Sequence, residues 1–91
     1  MPKYVIEREI PGAGQLSAVE LRTISKQSVG IIKELGRGLI WLQSYVVDDK
    51  IYCIYESPSA EMIHEHARCM GIPANSVAEV RVMIDPTTAD G

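Results

Sequence analysis

A chain of 91 residues holds one domain, and at that size folding removes only roughly 60–65% of the unfolded surface from water, so the core is modest. A hydrophobic fraction of 46% with 23% charged residues fits a folded globular domain and excludes disorder. Net charge is −3 and the nine Lys and Arg are scattered between Lys3 and Arg81, so no basic stripe exists to neutralise phosphates and nucleic acid is excluded as an expected partner.

The N-terminal Met1–Glu9 carries charges where a signal peptide needs an apolar run. The longest apolar stretch, Leu39 to Val47, is interrupted by Gln43 and Ser44 and is too short to span a bilayer. The expectation is therefore a cytoplasmic protein without membrane contact. Its two cysteines, Cys53 and Cys69, are expected as free thiols in a reducing compartment.

Lys3 to Ile10 alternates and is rich in β-branched residues, which predicts a first strand ended by Pro11-Gly12. Ser17 offers an N-cap and Glu20, three residues on, completes a capping-box signature. Leu21, Ile24, Ile31, Ile32 and Leu35 then recur at helical spacing, with Ser28 inside the stripe and Gly36 as the C-cap. This spacing predicts a helix over 18–35. Leu39–Val47 and Ile51–Glu56 read as strands joined by a short Asp48-Asp49-Lys50 link. Ser59 caps a second helix over 60–70, which Gly71 ends and Pro73 prevents from resuming. Val77 to Ile84 alternates as a fourth strand, and the segment from Pro86 reads as a frayed tail.

Strand–helix–strand twice over is the split β-α-β pattern of a ferredoxin-like α+β domain. Right-handed crossovers place both helices on one face of a four-stranded antiparallel sheet. Alternation assigns Tyr4, Ile6, Ile10, Ile40, Leu42, Val46, Ile51, Cys53, Val80, Val82 and Ile84 to the covered face. The open face then holds Val5, Val47, Ile54 and Met83 with Glu7, Glu9, Trp41, Gln43, Tyr45, Tyr52, Glu56 and Arg81. Large aromatics left together in water mark an interface or a ligand site. Two such faces packed as a homodimer would bury them, and any gap between would be a pocket lined by these polar side chains. A plain dimer interface is the simpler reading of the same face. A register error of one residue exchanges the two faces.

The second helix supplies the metal-binding residue types: Glu61, His64, His66 and Cys69. Imidazole, thiolate and carboxylate suit borderline divalent ions such as nickel, copper and zinc. His66 and Cys69 stand at i and i+3, as do Glu61 and His64, so each pair could reach one ion. Two ligands do not make a site, and a second copy of the chain is one source of the others. The competing reading of His66 is a boundary histidine hydrogen-bonded to the sheet, that of His64 a solvated surface residue, and that of Cys53 a small core residue. Ser28, Ser44 and Cys53 could approach His66, but nothing local marks any of them as an activated nucleophile. No catalytic motif and no organic cofactor motif is present.

The segments Ser44-Tyr45-Val46-Val47-Asp48-Asp49-Lys50-Ile51-Tyr52-Cys53-Ile54-Tyr55-Glu56, Glu65-His66-Ala67-Arg68 and Gly71-Ile72-Pro73-Ala74 resemble a family of small bacterial proteins labelled a domain of unknown function. Some members of that family are described as nickel-binding proteins. The resemblance implies a ferredoxin-like homodimer that binds nickel in sequestration or metal stress. His66 falls within a matching segment, whereas His64 and Cys69 rest on spacing alone. The leading expectation is a cytoplasmic homodimer that binds a divalent transition metal and is not an enzyme. The alternatives are a small-molecule binder or cofactor-free enzyme working in a pocket between paired sheet faces, and a pure interaction module.

Overall fold

The computed structural model describes residues 1–90. Its elements in chain order are β1 (Lys3–Glu9), a 3-10 turn at Ala13–Gln15, α1 (Ala18–Leu35), β2 (Ile40–Val46), β3 (Lys50–Glu56), α2 (Ala60–Met70), β4 (Ser76–Glu79) and a 3-10 turn at Pro86–Asp90. The four strands form one antiparallel sheet in the order β2-β3-β1-β4, with the two helices between consecutive strand pairs. This is the ferredoxin-like α+β fold.

Local chemistry explains where the helices start and stop. Ser17 and Glu20 form a reciprocal capping box, each side chain bonding the other's backbone N–H at 3.1 and 2.9 Å, which satisfies two donors the first turn would leave unpaired. Ser59 caps α2 through the Met62 N–H at 3.3 Å. Gly36 and Gly71 close the two helices with left-handed backbones, φ 56° and 71°, a conformation in which a Cβ would crowd the following carbonyl. The turn after β1 docks on the β2–β3 hairpin: the N–H groups of Ile10 and Gly14 donate to the carbonyls of Asp49 and Asp48, both at 2.9 Å. The N–H of Gly12 donates to the Asp49 carboxylate at 2.9 Å.

The core lies between the helices and one sheet face. Tyr4, Ile6, Ile51, Cys53 and Tyr55 come from the sheet, and Met62 and Ile63 from α2, with Ala13 and Leu39 at its margins. The α2 helix buries a full face (Met62, Ile63, His66, Ala67 and Met70), whereas α1 fully buries Ser28 alone. The other stripe residues of α1 are half-buried.

Two strands depart from strict alternation. In β2, Trp41 pairs with Tyr55 but Gln43 pairs with Ile54, so a bulge at Leu42 shifts the register. An extra residue in one strand flips the parity of the residues beyond it. Trp41 therefore stands opposite a buried residue and packs against the core, not on the open face. Ile40, opposite Glu56, moves the other way and is 44% exposed. The fourth strand ends at Glu79 rather than Ile84, and Val77 opposite Ile6 is its covered-face residue. Val80 then falls on the open side, and Val82 and Ile84 are exposed rather than covered. The tail from Pro86 is a 3-10 turn, pinned by the Asp85 carboxylate accepting from the Thr87 N–H at 2.9 Å.

Candidate functional site

Three places collect functional side chains. The open sheet face holds the first, a cavity of about 290 Å³. Lys3, Val5 and Ile54 form its floor, Gln43 and Tyr45 one wall, and Val80, Val82 and Met83 the other. Gln43 donates to the Tyr45 hydroxyl at 3.0 Å, so these two groups and Lys3 are the polar members of a lining that is otherwise apolar.

The remaining open-face candidates lie apart from this cavity. Glu7 accepts from Lys50 at 2.7 Å and more weakly from the Tyr52 hydroxyl at 3.5 Å. The Lys50 hydrogen bond and charge, helped by Tyr52, hold the Glu7 carboxyl below its ordinary range and raise Lys50 in return. Glu9 exchanges hydrogen bonds with Asn75: its N–H donates at 2.7 Å and its carboxylate accepts at 3.1 Å. Glu56 sits half-buried opposite Lys3 and Ile40. Arg81 is exposed beyond the end of β4. Trp41, on the other face, donates from its indole N–H to Ser44 Oγ at 2.9 Å. Of the eight polar and aromatic residues expected around one pocket, the cavity joins Gln43 and Tyr45.

The second place is the solvent side of α2. Glu61, His64 and Cys69 are exposed, while His66 is 1% exposed. At 100° per residue His66 stands roughly 160° from His64 and roughly 60° from Cys69, so the four ligand-type residues do not converge on one ion. Among the described residues no three His, Cys, Asp or Glu side chains gather within reach of one ion. Glu61 and His64, one turn apart, form the pair whose donors both face water.

The third place was not legible as a unit in the sequence. Arg8, in mid-β1 on the covered face, is 1% exposed. Its Nε donates to Cys53 Sγ at 3.4 Å and its Nη1 to the Pro73 carbonyl at 2.8 Å. Around it lie Tyr55, whose ring is tilted against that of His66 at 5.6 Å, and Ser28, whose hydroxyl shares a hydrogen bond with His66 Nε2 at 3.2 Å. The histidine thus bonds α1 rather than the sheet. Burial, and then the Arg8 charge, push its pKa below the ordinary histidine value, against the opposing pull of a hydrogen bond with Ser28. Burial, with Cys53 beside it, raises Tyr55, while the Arg8 charge pulls the other way. Arg8 Nη2 and His66 Nδ1 have no hydrogen-bond partner among the described residues. The ion pair among those residues is Lys50–Glu7, so no carboxylate balances Arg8. A signal was present in the sequence: Arg8 interrupts the apolar face of Tyr4, Ile6 and Ile10.

This cluster is closed to solvent and surrounds a cation, which makes His66 a poor seat for a metal ion. Its chemistry is structural: Arg8 ties β1 to β3 through Cys53 and to the segment after α2 through Pro73, while His66 and Ser28 tie the helices together.

Comparison with known proteins places this architecture. Residues 4–80 match the model of the family described as nickel responsive protein SCO4226-like. The chain belongs to this family. The SCO4226-like fold is seen again in the crystal structure of SCO4226 from Streptomyces coelicolor A3(2), which shares 19% identity over 90% of this chain and 99% of that one, with a TM-score of 0.75. At that identity the likeness establishes the fold. No curated protein matches. No helix among the described residues is long and apolar enough to cross a membrane.

Proposed function

We propose that this member of the SCO4226-like family is a homodimer that binds nickel, or a related divalent transition metal, in a sequestering or metal-stress role without turning over a substrate. The family description supports the metal. The observation that carries the reading to residues is the Glu61–His64 pair, solvent-facing on one turn of α2. An imidazole and a carboxylate are donors that suit nickel. They supply two coordination positions, and water supplies the rest. Such a site is weak and exchangeable, which suits sensing or buffering better than catalysis.

The dimer would form through the open sheet faces. That packing leaves both α2 helices on the outside of the pair, so each copy holds its own ion rather than sharing one by symmetry. Cys69, exposed on the same helix but roughly 140° around it from His64, does not join this pair; His66 contributes to packing.

Nickel titration followed by native mass spectrometry and calorimetry tests the proposal. The parent protein is expected to retain one ion per chain, and His64→Ala to weaken binding by more than roughly tenfold, as loss even of a ligand's supporting partner costs about 10–100-fold. Glu61→Gln should weaken it in the same direction. Unchanged nickel affinity in both variants refutes the site, and no retained nickel in the parent protein refutes the function.

A second reading has its own observation. The open-face cavity of about 290 Å³, apolar apart from Lys3, Gln43 and Tyr45, is near the lower limit for a small organic ligand. A ligand there would be lost on Tyr45→Ala and indifferent to His64→Ala, the reverse of the metal.

A further inference from the structure

Packing accounts for the place of Arg8 but not for its free donor edge. A planar guanidinium holds its N–H groups in fixed pairs, and the Nε and Nη2 hydrogens point the same way, as the pair that grips an oxyanion side-on. In Arg8 the Nε half of this edge donates to Cys53 Sγ at 3.4 Å. Nη1, outside the edge, donates to the Pro73 carbonyl at 2.8 Å. Nη2 is buried and has no acceptor among the described residues. The edge is therefore aimed at the sulfur and half filled.

The charge is equally unmatched. No carboxylate pairs with Arg8 among the described residues. Burial holds His66 below and Tyr55 above their ordinary pKa values, so both are neutral at pH 7 and leave Arg8 as the cation among them. A thiol sulfur is a weak acceptor. One oxygen added to Cys53 Sγ gives Nη2 an acceptor beside the sulfur, and further oxidation gives the guanidinium an anion.

We propose that Cys53 is a modification site, oxidised by hydrogen peroxide to a sulfenic acid whose oxygen is captured by the free Nη2 of Arg8. The sulfur attacks one peroxide oxygen, an S–O bond forms and the O–O bond breaks. The departing hydroxide leaves as water with the thiol proton, and the two electrons lost by sulfur reduce the peroxide. Cationic neighbours favour the reactive form of a thiol. Cys53 is 5% exposed, which selects an oxidant the size of water. The helix α1 crosses from β1 to β2 over β3, the strand of Cys53. It fully buries Ser28 alone, and an element with few buried contacts opens at lower cost than the core strands.

The test uses the full chain with Cys69, an exposed thiol, replaced as Cys69→Ser. The folded protein is exposed to hydrogen peroxide, catalase removes the excess, and the chain is then unfolded in dimedone, which tags sulfenic acid. Peptide mass spectrometry is expected to place the tag on Cys53. Arg8→Met in the same background should gain it roughly tenfold more slowly, as fits one charge-assisted hydrogen bond lost from the transition state. Should Arg8→Met not fold, Arg8→Lys, which keeps the charge and loses the edge, takes its place. A chain that is tagged only when peroxide meets it unfolded, or an Arg8 variant tagged as fast as its parent, overturns the proposal. Cys53→Asp reads the capture independently of reactivity, since it sets the outline and charge of an oxidised cysteine on the same Cβ. Its urea midpoint should fall less with Arg8 present than in the Arg8→Met background; an equal fall overturns the role of Arg8.

Discussion

Replacing Arg8 separates what its charge does from what its side chain fills. The guanidinium is 1% exposed with no acidic partner among the described residues, and an unpaired ion held out of water costs several kcal/mol. Against this stand a charge-assisted hydrogen bond to the Pro73 carbonyl at 2.8 Å, a contribution of about 1.5–3 kcal/mol, and three buried methylenes at about 0.8 kcal/mol each. Arg8→Met keeps most of the packing and removes the charge together with the Pro73 bond. Those losses and gains nearly cancel, so the variant is expected within about 1 kcal/mol of the parent, or more stable by up to roughly 3 kcal/mol. Arg8→Ala also empties the site and should be about 2–4 kcal/mol less stable than Arg8→Met. Urea unfolding followed by the single tryptophan, Trp41, packed against the core, reads both variants. If Arg8→Met is as unstable as Arg8→Ala, the charge is compensated by an anionic neighbour and this balance is wrong.

His66 makes stability depend on mild acid. Its folded pKa lies below the ordinary 6.5, so between the two values the unfolded chain binds a proton that the folded chain refuses. Stability is therefore complete above the unfolded value and falls as pH drops from there toward the folded one. Protonation would set a second cation among Arg8, Tyr55, Ser28 and Cys53. Thermal melts between pH 7.5 and 5.5 should show this slope, and His66→Gln should flatten it; an unchanged slope would assign it elsewhere. Gly14 is confined for a steric reason, since a Cβ there would stand 3.0 Å from Asp48 Cα and 3.2 Å from the Val47 carbonyl oxygen. Gly14→Ala must push the turn off the β2–β3 hairpin, and a loss of about 1–3 kcal/mol is expected in the same urea assay.

The sequence by itself determined the elements and their order. Helix boundaries were legible because they are set by contacts within one turn: Ser17 with Glu20, Ser59 with Met62, and glycines at 36 and 71. The ferredoxin-like topology came from the alternation of strand and helix periods. Which side chain meets which was decided between strands. A bulge at Leu42 has no signature in the residues of β2, since the extra residue exists only relative to β3; it carried Trp41 to the covered face. The early end of β4 is of the same kind. Val80 to Ile84 are as strand-prone as any segment, but a strand needs a partner, and the pairing with β1 ends at the bond between the Val80 N–H and the Lys3 carbonyl. The ligand residues of α2 were visible as types, while their separation into a buried His66 and an exposed Glu61, His64 and Cys69 depended on which way the helix faces the sheet. Arg8 showed the limit most clearly. Its place on an apolar face could be read from alternation, but its partners Cys53 and Pro73 lie 45 and 65 residues away, and only tertiary packing brings them to it.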